Sequence, residues 1–457
     1  MAGDIRQEPL KIIKTILLLA LPVVIENFFQ MILGFVDTLF VSKLGLIEVS
    51  SVGVTNAILA IYLAIFMAIG ISANVYVAKY SGAGNDEKVK EVTAQAIILA
   101  LLSGIIFGLI TLFLSDELLK LMGVEEEVLS SANSYFRIIA IPSIFISLMF
   151  VLSSVLRGKG DTKSPMKISI FINLLNLVLD YVLIFGFFLI PAFGLEGAAY
   201  ATLFSRLVGS FWLVIDLRRA GLIEWRMSLW RINKKVQLEM ISLSSPAAAE
   251  RLAMRLGQVL YFGFIVSIGT NTFAAHQIAG NIEVFAYMIG YGFATAATIL
   301  VSNHLGSGNQ VDASVYAKYS LGTGTAIMSF FGLVLFFGAE WLGSFFTHDP
   351  GVLNDIRIAL QIDAFIQPVL AIVLILTGVY QGAEHTKYPF YLTLAGMWLI
   401  RTGGVYVLGI TLGMGIAGIW LAIGLDNLYR AIFLIKNFKN GKWMKERSVP
   451  ADDPAVS

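Results

Sequence analysis

Apolar residues run along this chain in long stretches separated by short clusters of charged and small polar residues, a pattern that predicts membrane-spanning helices. Twelve stretches can be drawn: Lys14–Val41, Val49–Tyr80, Val89–Leu114, Ser130–Leu156, Pro165–Leu189, Leu195–Asp216, Gln237–Ile268, Ala275–His304, Ala313–Phe337, Asn354–Tyr380, Tyr388–Thr411 and Gly415–Ile435. Each meets the roughly 20 residues that a bilayer requires of a helix, and the longer ones must tilt or protrude. The ten-residue alternating segments of a membrane barrel are not seen. The expected fold is all-α and integral to the membrane, with 12 transmembrane helices.

Composition strengthens this picture. Only 14% of the residues are charged and mean hydropathy is +0.79, whereas soluble domains carry about a quarter charged residues. The absence of cysteine excludes disulfides, thiolate metal ligands and cysteine nucleophiles. Met1 to Pro9 holds Asp4 and Glu8 and has neither the basic region nor the cleavage site of a signal peptide, so helix one is expected to be retained. The net charge of +1 says little, because charge in a membrane protein matters by side. Loops after even-numbered helices hold Arg157, Lys159, Lys163, Arg218, Arg219, Arg226, Arg231, Lys234, Lys235 and Lys387, and the tail adds Lys436 to Arg447. The opposite side holds little beyond Lys43, Lys120 and Arg357. Both termini are therefore expected in the cytoplasm, and the protein in a prokaryotic plasma membrane.

The chain also repeats itself. An offset of 224 residues carries Pro22 and Glu26 onto Pro246 and Glu250, Gly45 onto Gly269, and Gly82-Ala83-Gly84-Asn85 onto Gly306-Ser307-Gly308-Asn309. The same offset carries Gly158, Thr162, Lys163 and Pro165 onto Gly382, Thr386, Lys387 and Pro389, and a shift to 221 carries Gly194 and Gly197 onto Gly415 and Gly418. Six helices per half is an even number, so both halves insert the same way round. The expectation is two six-helix lobes related by a pseudo-two-fold axis along the membrane normal, the layout of a two-lobed transporter. The predicted organisation is an N-terminal lobe over 1–217, a cytoplasmic linker over 218–236, a C-terminal lobe over 237–440 and a tail over 441–457.

These residues carry a family resemblance that spans essentially the whole chain. Leu21-Pro22-Val23-Val24-Ile25-Glu26-Asn27, Val36-Asp37-Thr38, the paired Gly-x-Gly-Asn turns, and Arg157-Gly158-Lys159-Gly160-Asp161-Thr162-Lys163 with its echo at Gly382 to Lys387 resemble MATE (multidrug and toxic compound extrusion) transporters. The pair Asp37 and Asp180 is similar to that of the DinF-like archaeal and bacterial branch. The resemblance implies a V-shaped two-lobe fold that exports small amphipathic, often cationic organic compounds, driven by protons or sodium ions. It also implies that Pro22 is a bend point in helix one that responds to the protonation of Asp37, although a static kink fits the proline equally well.

Ionisable groups inside spans are costly and hence candidates for function. In helix one, Glu26, Gln30 and Asp37 fall on one stripe at helical spacing; in helix five, Asn173, Asn176 and Asp180 form another. If the stripes meet, Asp37 and Asp180 share a dry site with Asn176 and Thr202. Burial disfavours the charged form of a carboxylate and a second carboxylate disfavours it further, so such a pair exchanges a proton as a unit. The same oxygens suit a sodium ion, and a cluster that merely fixes helix packing is the plainer reading. The repeat maps Asp37 onto Tyr261 and Asp180 onto Gly404, so the pair is not duplicated. Secondary acidic candidates are Glu26, Glu250, Glu283 and Asp363; Arg251, Arg255 and Arg401 favour internal ion pairing for those in the second half. Phe28, Gln30, Tyr135, Met149, Ser153, Met166, Asn173 and Asn176 are candidate substrate-lining residues, since methionine and aromatic side chains make an adaptable surface.

No phosphate-binding loop occurs, because Gly82 to Asn85 lacks the lysine and hydroxyl ending, and the four histidines show no metal-ligand spacing. The expected function is a secondary-active, proton-coupled exporter working by alternating access. No cofactor, metal or nucleic acid is expected, only H+ (or Na+), membrane lipids and the exported compound, with the chain a monomer. Sodium-coupled antiport at the same site and flipping of a lipid-linked precursor are the alternatives. An intramembrane aspartyl enzyme fits the duplicated architecture poorly.

Overall fold

The computed structural model describes residues 9–444; the expectations for Asp4 and Glu8 and for the tail at Lys445 and Arg447 lie outside them. The helices are α1 (Pro9–Ser42), α2 (Leu46–Gly82), α3 (Asp86–Leu121), α4 (Glu126–Ala140), α5 (Ser143–Gly158), α6 (Lys163–Phe185) and α7 (Gly194–Arg219). They continue as α8 (Lys234–Ile268), α9 (Thr270–Gly306), α10 (Gln310–Ser344), α11 (Pro350–Gly382), α12 (Lys387–Ala395) and α13 (Gly415–Lys439). Between α12 and α13 the same span runs on as two π-helical stretches, Gly396–Thr402 and Val405–Thr411. Among the described residues, 11 helices are long and apolar enough to span, and 12 spans result when α4 and α5 count as one.

That fourth span was predicted as one continuous helix and is broken, bent by 46° between Ala140 and Ser143. Pro142 explains the break: it lacks an N–H and its ring clashes with the preceding turn. Other predicted boundaries have simple local causes. Gly84 and Gly308 take φ of +68° and +75°, which only glycine adopts without strain. Asn85 and Asn309 then cap the next helix, accepting from Lys88 N at 3.0 Å and Asp312 N at 3.1 Å. The Gly-x-Gly-Asn repeat is therefore a turn-and-cap signal used twice.

Packing divides the chain into two compact units, one made of the described residues up to Ala20 with those from Ala249 on, the other of Leu21–Ala248. The divisions fall inside α1 and α8, beside Pro22 and Pro246, rather than at the linker. In the Leu21–Ala248 unit, the buried core joins Val75, Val92, Leu152, Ile168 and Leu213. In the other it joins Ile265, Ile282, Ile356, Val405 and Trp420. Both units use the same close helix crossing: a Cβ on Gly158 would stand 2.6 Å from Asn74 O, and one on Gly382 would stand 2.6 Å from Thr298 O. Asn74 and Thr298 are themselves 224 residues apart. Gly382→Leu should thus destabilise the protein by about 2 kcal/mol or more, read as a lower melting temperature in detergent. An unchanged melt would mean that the crossing is not tight.

The linker is held on α3. The buried Gln95 side chain donates to Leu229 O at 3.2 Å and Arg231 O at 2.8 Å and accepts from Asn233 N at 3.0 Å. Outside the membrane spans, Arg226 reaches Glu87 at 3.0 Å and Lys90 reaches Glu224 at 3.0 Å. Hydrogen bonds from Arg226 hold the Glu87 carboxyl below its ordinary range.

Candidate ion-coupling site

Asp37 on α1 and Asp180 on α6 are brought together by aromatic packing one turn away. The Phe40 ring lies 6.2 Å from that of Tyr181 and 5.9 Å from that of Phe185, centroid to centroid. Asp180 is fully buried and Asp37 half-buried. The two carboxyls lie within hydrogen-bonding reach of each other. Both Asp180 oxygens and Asp37 Oδ1 are enclosed with no donor to them among the described residues. Two carboxylates cannot hydrogen-bond to each other, whereas a carboxyl and a carboxylate can, through one proton. Enclosed carboxylates without donors are costly, so the geometry is one that a proton or a cation completes.

Tyr135 of α4 faces both aspartates; the sequence pointed to it as cavity lining, and the structure puts it in the acidic cluster. Asn176 lies one turn before Asp180, and its enclosed Nδ2 has no partner among the described residues. Thr202 on α7 directs its hydroxyl proton to Ala198 O at 3.0 Å, leaving its lone pairs for other use. One turn further, Arg206 faces Asp37 and Tyr135. Sequence reasoning did not place Arg206 in this site, yet its spacing of four from Thr202 put it on the same helix face.

The other candidates disperse. Glu26 leaves the helix-one stripe for an ion pair: Arg157 Nη2 donates to both its oxygens at 2.7 Å. Phe28 and Gln30 are exposed. Met149 packs against the core beside Ile172 and Gly209, and Asn173 Nδ2 donates to Ser169 O at 2.8 Å. Ser153 and Met166 are half-buried.

In the other unit Asp426, Glu250 and Asp363 each accept a hydrogen bond on one oxygen, while Oδ1 of Asp363 and of Asp426 is enclosed without a partner among the described residues. Asp426 of α13, buried completely, accepts from Arg401 Nε at 2.8 Å and from Arg430 Nη2 at 2.6 Å. Glu250 accepts from Thr393 Oγ1 at 2.8 Å and faces Arg251 and Arg430. Asp363 accepts from Gln367 Nε2 at 2.6 Å and faces Glu283, which in turn faces Arg401. Arg255, expected near Glu250, donates to Gln258 Oε1 at 3.0 Å instead. Arg401 stands in the first π-helical stretch, where Thr402 Oγ1 donates to Met397 O, five residues back, at 2.8 Å. Gly396 in that stretch leaves room for Asp426 Oδ1. Tyr261, the repeat counterpart of Asp37, packs against Phe262 and His276.

The model of the MatE family matches residues 22–182 and again 246–407, once in each half of the repeat. The chain belongs to the MatE family. It is a multi-pass membrane transporter rather than an enzyme. This MatE chain is 30% identical over 441 residues to a probable multidrug resistance protein NorM of Thermotoga maritima, covering 96% of the chain and 95% of that protein. It is 26% identical over 405 residues to the multidrug resistance protein PmpM of Pseudomonas aeruginosa, covering 87% and 84%. Among solved structures it superposes on a MOP superfamily transporter from Pyrococcus furiosus with a TM-score of 0.88 at 22% identity, over 95% of this chain and 97% of that one. A MATE family transporter in an outward-facing conformation matches with the same score, identity and coverage. At that identity the likeness speaks for the fold, two lobes of six spans each.

Two site residues went unread in the sequence, Arg206 and Asp426. Both were legible in principle, since Asp426 and Arg430 are ionisable groups at helical spacing inside an apolar span.

Proposed function

We propose that this MatE protein exports small amphipathic, often cationic organic compounds from a prokaryotic cell in exchange for protons. It works as a monomer by alternating access, with both termini in the cytoplasm. The multidrug resistance proteins it resembles support the substrate class. The observation that carries the coupling assignment is the enclosed Asp37–Asp180 pair: among the described residues nothing donates to either Asp180 oxygen or to Asp37 Oδ1, whereas Asp363 and Asp426 of the other unit each accept a hydrogen bond on Oδ2.

A proton arriving from outside is shared between Asp37 and Asp180 and supplies the missing hydrogen bond. Its arrival rearranges the α1–α6 contact, and Pro22, inside α1, is where that helix most readily bends. The driving force is adequate, about 1.4 kcal/mol per pH unit and about 2.3 kcal/mol per charge at 100 mV.

The flippase alternative is less well supported, because it needs free arginines to hold a pyrophosphate. The spans of this unit offer little beyond Arg137 and Arg206, and Arg206 faces Asp37, while Glu26 holds Arg157. Sodium coupling at the same oxygens is the remaining alternative.

Purified protein in proteoliposomes loaded with a cationic dye tests the proposal. Dye efflux should follow an imposed pH gradient and should not change when potassium replaces sodium. Efflux that ignores the pH gradient would refute proton coupling.

A further inference from the structure

Arg206 is a permanent charge in the acidic cluster, and the proton-sharing scheme leaves it without a task. The titratable and charged groups facing the carboxyl pair are Tyr135 from α4 and Arg206 from α7. Arg206 Nη1 is enclosed and, among the described residues, has no hydrogen-bond partner. An enclosed guanidinium N–H without an acceptor is costly, as is an enclosed carboxylate oxygen without a donor. Both deficits sit in the same small volume, on helices that pack against one another: Asp180 on α6, Arg206 on α7.

The charges add simply. Two ionised aspartates and one guanidinium leave a single negative charge, so one proton brings the cluster to neutrality. A sodium ion brings the same charge but must gather several oxygen ligands while standing beside a fixed like charge. At about 6 Å, in a medium of effective dielectric constant ~20, such repulsion weakens cation binding ~100-fold. A proton meets the same repulsion, so the ratio of the two affinities is unchanged; the selection arises because the penalty carries the weak sodium affinity below working concentrations, while the covalent O–H bond and the hydrogen bond between the carboxyls keep proton binding within the working range. Arg206 is also tethered, so it competes for the carboxylates at an effective concentration no free ion matches.

We propose that Arg206 is the resident counter-cation of the Asp37–Asp180 site and makes that site select protons over sodium ions. The proposal rests on the assignment of ion coupling to this pair. It gives Arg206 a role in ion specificity rather than in substrate binding.

The test uses the full chain in proteoliposomes, with dye efflux followed under an inward sodium gradient at equal pH on both sides. Wild type should show no sodium-driven efflux. Arg206→Gln should acquire it, with at least about a fivefold rise over a choline control. Arg206→Lys, which keeps the charge, should stay blind to sodium. The double variant Arg206→Gln/Asp37→Asn should lose the response, which locates it at the pair. Three results overturn the proposal: sodium blindness in Arg206→Gln, a sodium response that survives in the double variant, or sodium-driven efflux by wild type that Asp37→Asn removes. Should Arg206→Gln fail to reach the membrane, Arg206→Met, which also removes the charge, takes its place with the same expected and overturning results. Proton-driven efflux that survives Asp180→Asn defeats the parent assignment instead, whatever Arg206 does.

Discussion

Asp180→Asn should reduce proton-driven export by at least about 100-fold, within the range that loss of a group handling protons produces, while the protein still folds. The asparagine side chain matches the carboxyl in size and cannot release a proton at working pH. Its amide also gives Asp37 a donor that the wild-type cluster lacks, since among the described residues nothing donates to Asp180 or to Asp37 Oδ1. Asp37→Asn should behave alike, because one proton is shared and either partner is indispensable. Vesicle transport under a pH gradient, with a melting curve on the same preparation, separates the two effects. Wild-type export by either variant would remove the pair from the coupling mechanism.

The largest effect on stability should come from the other unit. Asp426→Ala leaves Arg401 and Arg430 facing each other without the carboxylate they both donate to. Removing one partner of a buried ionic cluster costs about 3–5 kcal/mol, because the remaining charges stay desolvated. The melting temperature should fall by several degrees, or the protein should fail to accumulate in the membrane. Asp426→Leu combined with Arg430→Met should recover part of the loss, since an apolar replacement removes one orphaned charge as well. A melt unchanged by Asp426→Ala would show that the arginines find other acceptors, with Glu283 the first to examine. The contrast with Asp180 is the point: an acid with arginine partners holds structure, and an acid without donors is free to bind and release an ion.

The repeat makes that contrast interpretable. Asp37 and Asp180 map onto Tyr261 and Gly404, while Glu26 maps onto Glu250. The duplicated acids are held, Glu26 by Arg157 and Glu250 by Thr393 with arginines nearby. In the unduplicated pair, among the described residues, neither Asp180 oxygen nor Asp37 Oδ1 has a donor, whereas Asp363 and Asp426 lack one on Oδ1 alone. Evolution of the two halves has kept the turns, caps and close crossings in common and let the intramembrane charges diverge.

Spans, turns and repeat were all legible in the residues, because the information behind them is local. A run of apolar side chains is long enough to cross a bilayer or it is not, and a glycine followed by asparagine ends one helix and caps the next. The stripe argument likewise brought Asp37 and Asp180 to notice, since helical spacing is fixed by the backbone. What the sequence could not supply was partnership across helices. Glu26 looked equivalent to Asp37 on its stripe until Arg157 of another helix was seen to hold it. Tyr135 looked like cavity lining, and Arg206 and Asp426 were not joined to any acidic or basic partner, because their meaning depends on which side chain stands opposite. The break at Pro142 and the π-helical turns around Arg401 follow the same logic. Proline and glycine permit a bend or a wider turn, but Pro368 lies within an unbroken α11, so only packing decides where the permission is used.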